Sequence, residues 1–146
     1  MTATKPLPHP TDTSAPFWNA LRERKVLIQR CGACGSWVFY PRHHCPHCLA
    51  ADPTWVAVSG KGTLYAYTIA RIPTLPEFAD EAPQKLAVIA LDEGVHINST
   101  LVFVDEGDTV IGMRVRPIFD DRGGMTLLRF APASYDGPTV IDAAPD

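Results

Sequence analysis

No stretch of this 146-residue chain approaches the ~20 consecutive apolar residues that span a bilayer. The first ten residues, rich in Pro, Thr and His, hold no apolar core of a secretory signal, so the expected location is the cytoplasm. Gly-x-Gly-x-x-Gly, P-loop and Gly-x-Ser-x-Gly motifs are all missing, which removes the common dinucleotide, nucleotide and serine-hydrolase signatures. There is no internal repeat and no low-complexity segment. Positive charge is scarce too. The net charge is −3, with six Lys/Arg against three Asp/Glu in residues 1–60 and seven against thirteen in residues 61–146. An acidic second half lacks the basic footprint of a nucleic-acid-binding domain.

Cysteine occurs four times, and its placement is the strongest signal in the chain. Cys31-x2-Cys34 is followed, after ten residues, by Cys45-x2-Cys48. In a reducing compartment such cysteines read as metal ligands rather than disulfides. Two such knuckles offer four thiolates to one tetrahedral ion, most simply Zn²⁺. Four sulfurs leave no open coordination position, so the expected role is structural. Gly32 and Gly35 allow the first knuckle to turn its amides towards sulfur, and Pro46 stiffens the second. A Cys3His set using His44 or His47 is an alternative, and iron also suits a sulfur-only site. With every thiol engaged, no cysteine remains as a nucleophile.

Around the knuckles the pattern is mainly β. Ser14 and Pro16 mark a short helix start, and Phe17, Trp18 and Leu21 fall on one of its faces. This helix over 15–25 needs a docking surface to persist. Strands are expected at Val26–Gln29, Ser36–Tyr40 and Trp55–Val58, framing the cysteines. Five more follow, over 63–70, 86–92, 95–104, 113–119 and 125–130. Acidic or Gly-containing turns separate them, including residues 120–124, and a Pro-containing loop fills 72–85. Tyr65 and Tyr67 are expected on one strand face. Closing five such strands into a barrel removes the exposed edges, and that solution is the OB-fold. The expected organisation is a disordered N-terminus (1–13), helix plus metal ribbon (14–58), OB-fold (59–132) and a C-terminal tail (133–146).

The order of these pieces carries a resemblance. The run Phe17-Trp-Asn-Ala-Leu21 precedes Val26-Leu-Ile-Gln-Arg-Cys-Gly-Ala-Cys-Gly35. Pro41-Arg-His-His-Cys-Pro-His-Cys48, Trp55 and Val58-Ser-Gly-Lys-Gly-Thr-Leu-Tyr-Ala-Tyr-Thr68 come next. Leu91-Asp-Glu-Gly94 and Ile111-Gly-Met-Arg-Val115 complete the set. Over roughly residues 16–132 the chain resembles the DUF35 family, which joins a rubredoxin-like zinc ribbon to an OB-fold. One departure is Gln84-Lys85 after Pro83, where the family usually has an aromatic residue. The resemblance implies a non-catalytic subunit of a thiolase-like complex, whether thiolase, acyltransferase or retro-aldolase, that handles a CoA thioester. The thiolase-like partner would carry the catalytic residues. Candidate docking residues are Phe17, Trp18 and Leu21 on the helix, and Leu75 and Phe78 in the 72–85 loop. The competing expectation is a nucleic-acid-binding zinc-ribbon/OB-fold module, which the charge balance disfavours.

Overall fold

The computed structural model describes residues 5–142. Helix α1 (Ala15–Arg22) begins where expected, with Pro16 in its first turn. Ser14 stands at the N-cap but makes no side-chain bond to the helix. Its hydroxyl turns back to accept from the Thr11 amide at 2.9 Å. The helix stops short of residue 25 because Arg24 takes a left-handed conformation, and the Lys25 amide closes back on the Ala20 carbonyl at 2.9 Å.

Strands β1 (Val26–Arg30), β2 (Trp37–Val38) and β3 (Thr54–Val58) form a small antiparallel sheet in the order β2-β1-β3. β2 is shorter than the expected Ser36–Tyr40 strand. Beyond Val38 the chain leaves the sheet, and Phe39 packs towards Phe17 with ring centres 6.0 Å apart.

The barrel is built from β4 (Gly62–Ala70), β5 (Gln84–Leu91), β6 (His96–Leu101), β7 (Arg114–Arg122) and β8 (Met125–Pro132). They pair in the order β4-β5-β6-β8-β7, and β7 returns to β4 through Gly62↔Val115 and Thr63↔Arg114. β6 and β8 meet in parallel at Leu101↔Phe130, and the other barrel pairs are antiparallel. This is the closed five-stranded OB-fold. Gly62 marks a tight crossing, since a Cβ there would run into the Ala90 carbonyl.

Three local expectations change. The register of β4 slips between Leu64 and Ala66, so Tyr65 bulges outward, 59% exposed, while Tyr67 packs against the core. The expected turn at residues 120–124 shrinks to Gly123-Gly124, both at positive φ, and Asp120 lies inside β7, fully buried. The expected tail holds a further strand, β9 (Val140–Asp142), parallel to β7 over Phe119–Asp121. β4 pairs with only the first residues of β7, which leaves that edge for β9 to cover. The final four residues, and the first four of the segment expected to be disordered, lie outside the described residues. Lys5, in the remainder of that segment, ion-pairs with Asp80 and Glu81 at 3.0 and 3.1 Å.

One apolar core joins the parts. Leu64, Ile89, Ile97, Val115 and Phe130 fill the barrel, and Phe17 and Leu21 of α1 and Val26 and Ile28 of β1 belong to the same cluster. Burying a side chain such as Leu21 completely is worth about 2 kcal/mol, so helix, ribbon and barrel hold each other. Asn98 on β6 also donates to the Tyr40 hydroxyl at 2.7 Å, tying ribbon to barrel from outside. Among the described residues no helix is long and apolar enough to cross a membrane.

Candidate metal centre

The two knuckles are built alike. In the first, the Cys31 amide bonds the Ser36 carbonyl at 2.8 Å and the Gly35 amide bonds the Cys31 carbonyl at 2.9 Å. In the second, the Cys45 amide bonds the Ala50 carbonyl at 2.9 Å and the Leu49 amide bonds the Cys45 carbonyl at 2.9 Å. Each knuckle ends on a left-handed residue, Gly35 in one and Leu49 in the other. The repeated local fold aims two pairs of sulfurs at one point.

All four Sγ atoms lie within 4.8 Å of one another. Cys31 and Cys48 are 3.5 Å apart and Cys34 and Cys45 3.7 Å. A tetrahedron of sulfurs each 2.3 Å from an ion has edges of about 3.8 Å, so the spacing fits a metal. It is far from the ~2.05 Å of a disulfide. Backbone amides point at the sulfurs: Cys34 N lies 3.5 Å from Cys31 Sγ, and His47 N lies 3.4 Å from Cys45 Sγ. Cys31 and Cys45 are buried, whereas Cys34 and Cys48 face solvent.

The donor chemistry agrees. The hydroxyl and amide of Ser36 hold the Cys34 thiol down at about 6. For Cys48 the Ala50 amide acts downward, but proton sharing with Cys31, burial, and the crowding of Cys34 and Cys45 lift it to about 12. Four sulfurs this close cannot all ionise unless a cation balances them. Zn²⁺, when bound, supplies that charge and locks the two knuckles together. The four cysteines are thus positioned to bind one metal ion.

The histidines stay outside this group. His43 Nε2 shares a hydrogen bond with the Thr13 hydroxyl at 2.8 Å, and His44 forms a backbone bridge with Ala51. His47 contributes its amide, and its side chain is exposed. Gln29, buried at the end of β1, clamps the loop before the second knuckle. Its side chain donates to the Arg42 carbonyl at 2.9 Å and accepts from the Arg42 amide at 2.8 Å.

The candidate docking residues are not brought together. Of the surfaces open to the helix, whether ribbon, barrel or partner, Phe17 and Leu21 take the chain's own core, where both are buried, and not a partner. A short helix cannot stand alone, and the sheet and barrel beside it supply the apolar surface it needs. Trp18 is half-buried, packed edge-on to Phe17 at 5.1 Å. Leu75, 42% exposed, precedes a 3-10 turn over Pro76–Glu81 that contains the half-buried Phe78.

Sequence reasoning missed a buried ionic cluster on the barrel wall. Asp120 Oδ2 lies 3.0 Å from Arg122 Nε and 3.3 Å from Arg129 Nε. Glu81 receives both terminal nitrogens of Arg122, at 2.8 and 3.1 Å. Arg129 also donates to the Thr100 hydroxyl at 3.0 Å. The cluster pins the β4–β5 loop and the Lys5 arm to the barrel. The available signal was the Gly123-Gly124 hairpin, whose register places Arg129 opposite Ile118 and diagonal to Asp120.

Known proteins share this arrangement. Residues 18–54 match the rubredoxin-like zinc ribbon domain of ChsH2, and residues 55–120 match the ChsH2 C-terminal OB-fold domain. A Thermomonospora curvata protein named "Probable enoyl-CoA hydratase alpha subunit" is 34% identical over 77% of this chain, which spans 35% of that protein. A "DUF35 domain-containing scaffold protein" of Methanocaldococcus jannaschii is 35% identical over 70% of this chain and 73% of its own length. The solved structure titled "Ltp2-ChsH2(DUF35) aldolase" superposes with a TM-score of 0.77 at 33% identity, covering 87% of this chain and 99% of that one. With its four-cysteine ribbon joined to a closed five-stranded barrel, the chain belongs to the DUF35 family.

Proposed function

We propose that this chain is a non-catalytic, zinc-binding subunit of a thiolase-like enzyme complex that acts on a CoA thioester. The observation that carries the reading is the fate of the thiols: all four converge on a closed metal site, so the chain's strongest nucleophiles serve structure. Its barrel histidine, His96, is an exposed residue whose ring lies tilted against Tyr65 at 4.5 Å, and among the described residues it is hydrogen-bonded to no acid or base. The likeness to an aldolase-associated DUF35 chain and to a protein named as a hydratase alpha subunit supports a catalytic partner. In this reading the metal knuckles stiffen the ribbon, the shared core fixes ribbon to barrel, and the β4–β5 loop with Leu75 and Phe78 is presented to the partner. Loops held by a rigid scaffold commonly carry such contacts.

The test is co-expression with a thiolase-like protein from the same genome, followed by size exclusion and thioester assays. The expected result is a stable complex whose activity depends on this chain, and no turnover by this chain alone. A thiolase-like protein equally active without it would refute the proposal. The exposed Tyr65, beside His96 on the barrel surface, gives the nucleic-acid alternative one feature in its favour. A tight, salt-sensitive shift of single-stranded RNA or DNA would select that alternative.

A further inference from the structure

The two ends of the barrel are finished differently. At the end where β7 stops and β8 starts, α1 packs in, and Arg24 just beyond it bonds Asp121 at 2.7 Å. The opposite end, where β7 starts and β8 stops, is crossed by residues 102–113. That segment leaves Phe103 48%, Val110 60% and Ile111 56% exposed. Arg71, at the end of β4, bonds Glu106 at 2.8 Å and draws the next loop alongside, where Ile72 is 83% exposed. Four of the nine large apolar side chains exposed among the described residues thus fall on these two neighbouring loops rather than singly over the surface.

Phe103 is not loosely placed. It sits at φ 58°, a conformation costly for a bulky side chain, and stacks on Tyr135 at 4.5 Å and 8°. The Arg116 guanidinium also lies over the Tyr135 ring, at 5.0 Å. Beside Phe103 a hollow of about 660 Å³ opens, lined also by Met113, Pro132, Asp105 and Asp108. The two Asp carboxylates are exposed, and no cation answers either among the described residues.

We infer that this barrel end is the docking surface for the catalytic subunit, and that the partner presents apolar side chains ringed by Lys or Arg. The inference rests on the subunit reading above and adds the place and the chemistry of contact. Charge complementarity selects the occupant. A second copy meeting the same patch by two-fold symmetry would set acidic rim against acidic rim. Nucleic acid and anionic lipid are repelled by the same carboxylates.

The test uses the full chain and the thiolase-like protein co-expressed with it. Val110→Ser/Ile111→Ser removes the apolar centre, Asp105→Lys/Asp108→Lys reverses the rim, and Ile72→Ser probes the neighbouring loop. All are exposed positions, and circular dichroism with urea midpoints checks the fold. Each double variant should weaken the Kd by about tenfold or more. Wild-type binding should weaken as salt rises from about 0.1 to 1 M, while the rim variant should lose that salt dependence. Glu23→Ser, just past α1 at the other barrel end and with 71% of its side chain exposed, should bind as wild type. Double variants that bind like wild type would overturn the docking surface while leaving the subunit reading intact. Failure of the wild-type chain to bind would overturn both. A homodimer of the chain alone that Val110→Ser/Ile111→Ser dissociates would also overturn it, by assigning the patch to a second copy.

Discussion

Lowering pH should release the β4–β5 loop through one carboxylate, Glu81. Burial pushes this group's pKa up, but hydrogen bonds from Arg122 and Lys5 outweigh it and carry the value from 4.5 down to about 2. A depressed carboxylate pKa stabilises the folded state fully above the unfolded value. That stability is lost as pH falls through the folded value, so the window is about pH 4.5 to 2. At 1.36 kcal/mol per unit the shift has an upper limit of about 3 kcal/mol. The Glu81 and Lys5 side chains keep 18% and 25% of their surface in water, and screening lowers the expected figure to about 2 kcal/mol. Glu81→Gln should remove this contribution at neutral pH as well, because Arg122 and Arg129 then share only Asp120. Urea midpoints of both proteins from pH 7 to 2 make the assay, with amide exchange over residues 72–83 as the local readout. Acid strips metal from both proteins alike, so their difference isolates Glu81. The gap should be widest at neutral pH and shrink towards zero by about pH 2. A constant gap, or no gap, would refute the reasoning.

Other outcomes follow from the same structure. The wild-type chain should carry about one equivalent of zinc, and Cys31→Ser or Cys45→Ser should abolish it by elemental analysis; full metal content in both variants would sink the four-sulfur site. Leu49 occupies the left-handed position that Gly35 fills in the first knuckle, so Leu49→Gly should stabilise the metal-loaded protein by about 0.5–1 kcal/mol in thermal unfolding. Leu21→Ala, at a fully buried site shared by helix, ribbon and barrel, should cost about 3 kcal/mol in denaturant unfolding. If that cost fell below about 1 kcal/mol, α1 would be an appendage rather than part of the core.

What the sequence determined by itself was local chemistry. Cysteine spacing within a knuckle is short enough that backbone turns alone decide where sulfurs point, so the ligand set was legible without tertiary structure. Alternating β-branched and aromatic runs between Gly-rich or acidic turns made the five barrel strands legible for the same reason. The tertiary structure decided what depends on contacts between distant segments. Thr139-Val140-Ile141 is β-branched but too short a run, behind Gly137-Pro138, to read as a strand alone, and Val140–Asp142 becomes one because β4 leaves an edge of β7 unpaired. Asp120 reads as a turn residue beside Asp121, yet the Gly123-Gly124 hairpin sets a register that buries it between Arg122 and Arg129. Tyr65 left the face it shares with Tyr67 in a regular strand because a bulge in β4 shifts the register, which no residue periodicity records. Phe17 and Leu21 were legible as a sticky helical face, but only the fold could say that the face closes on the chain's own core, because amphipathicity reveals that a surface must be covered and not what covers it.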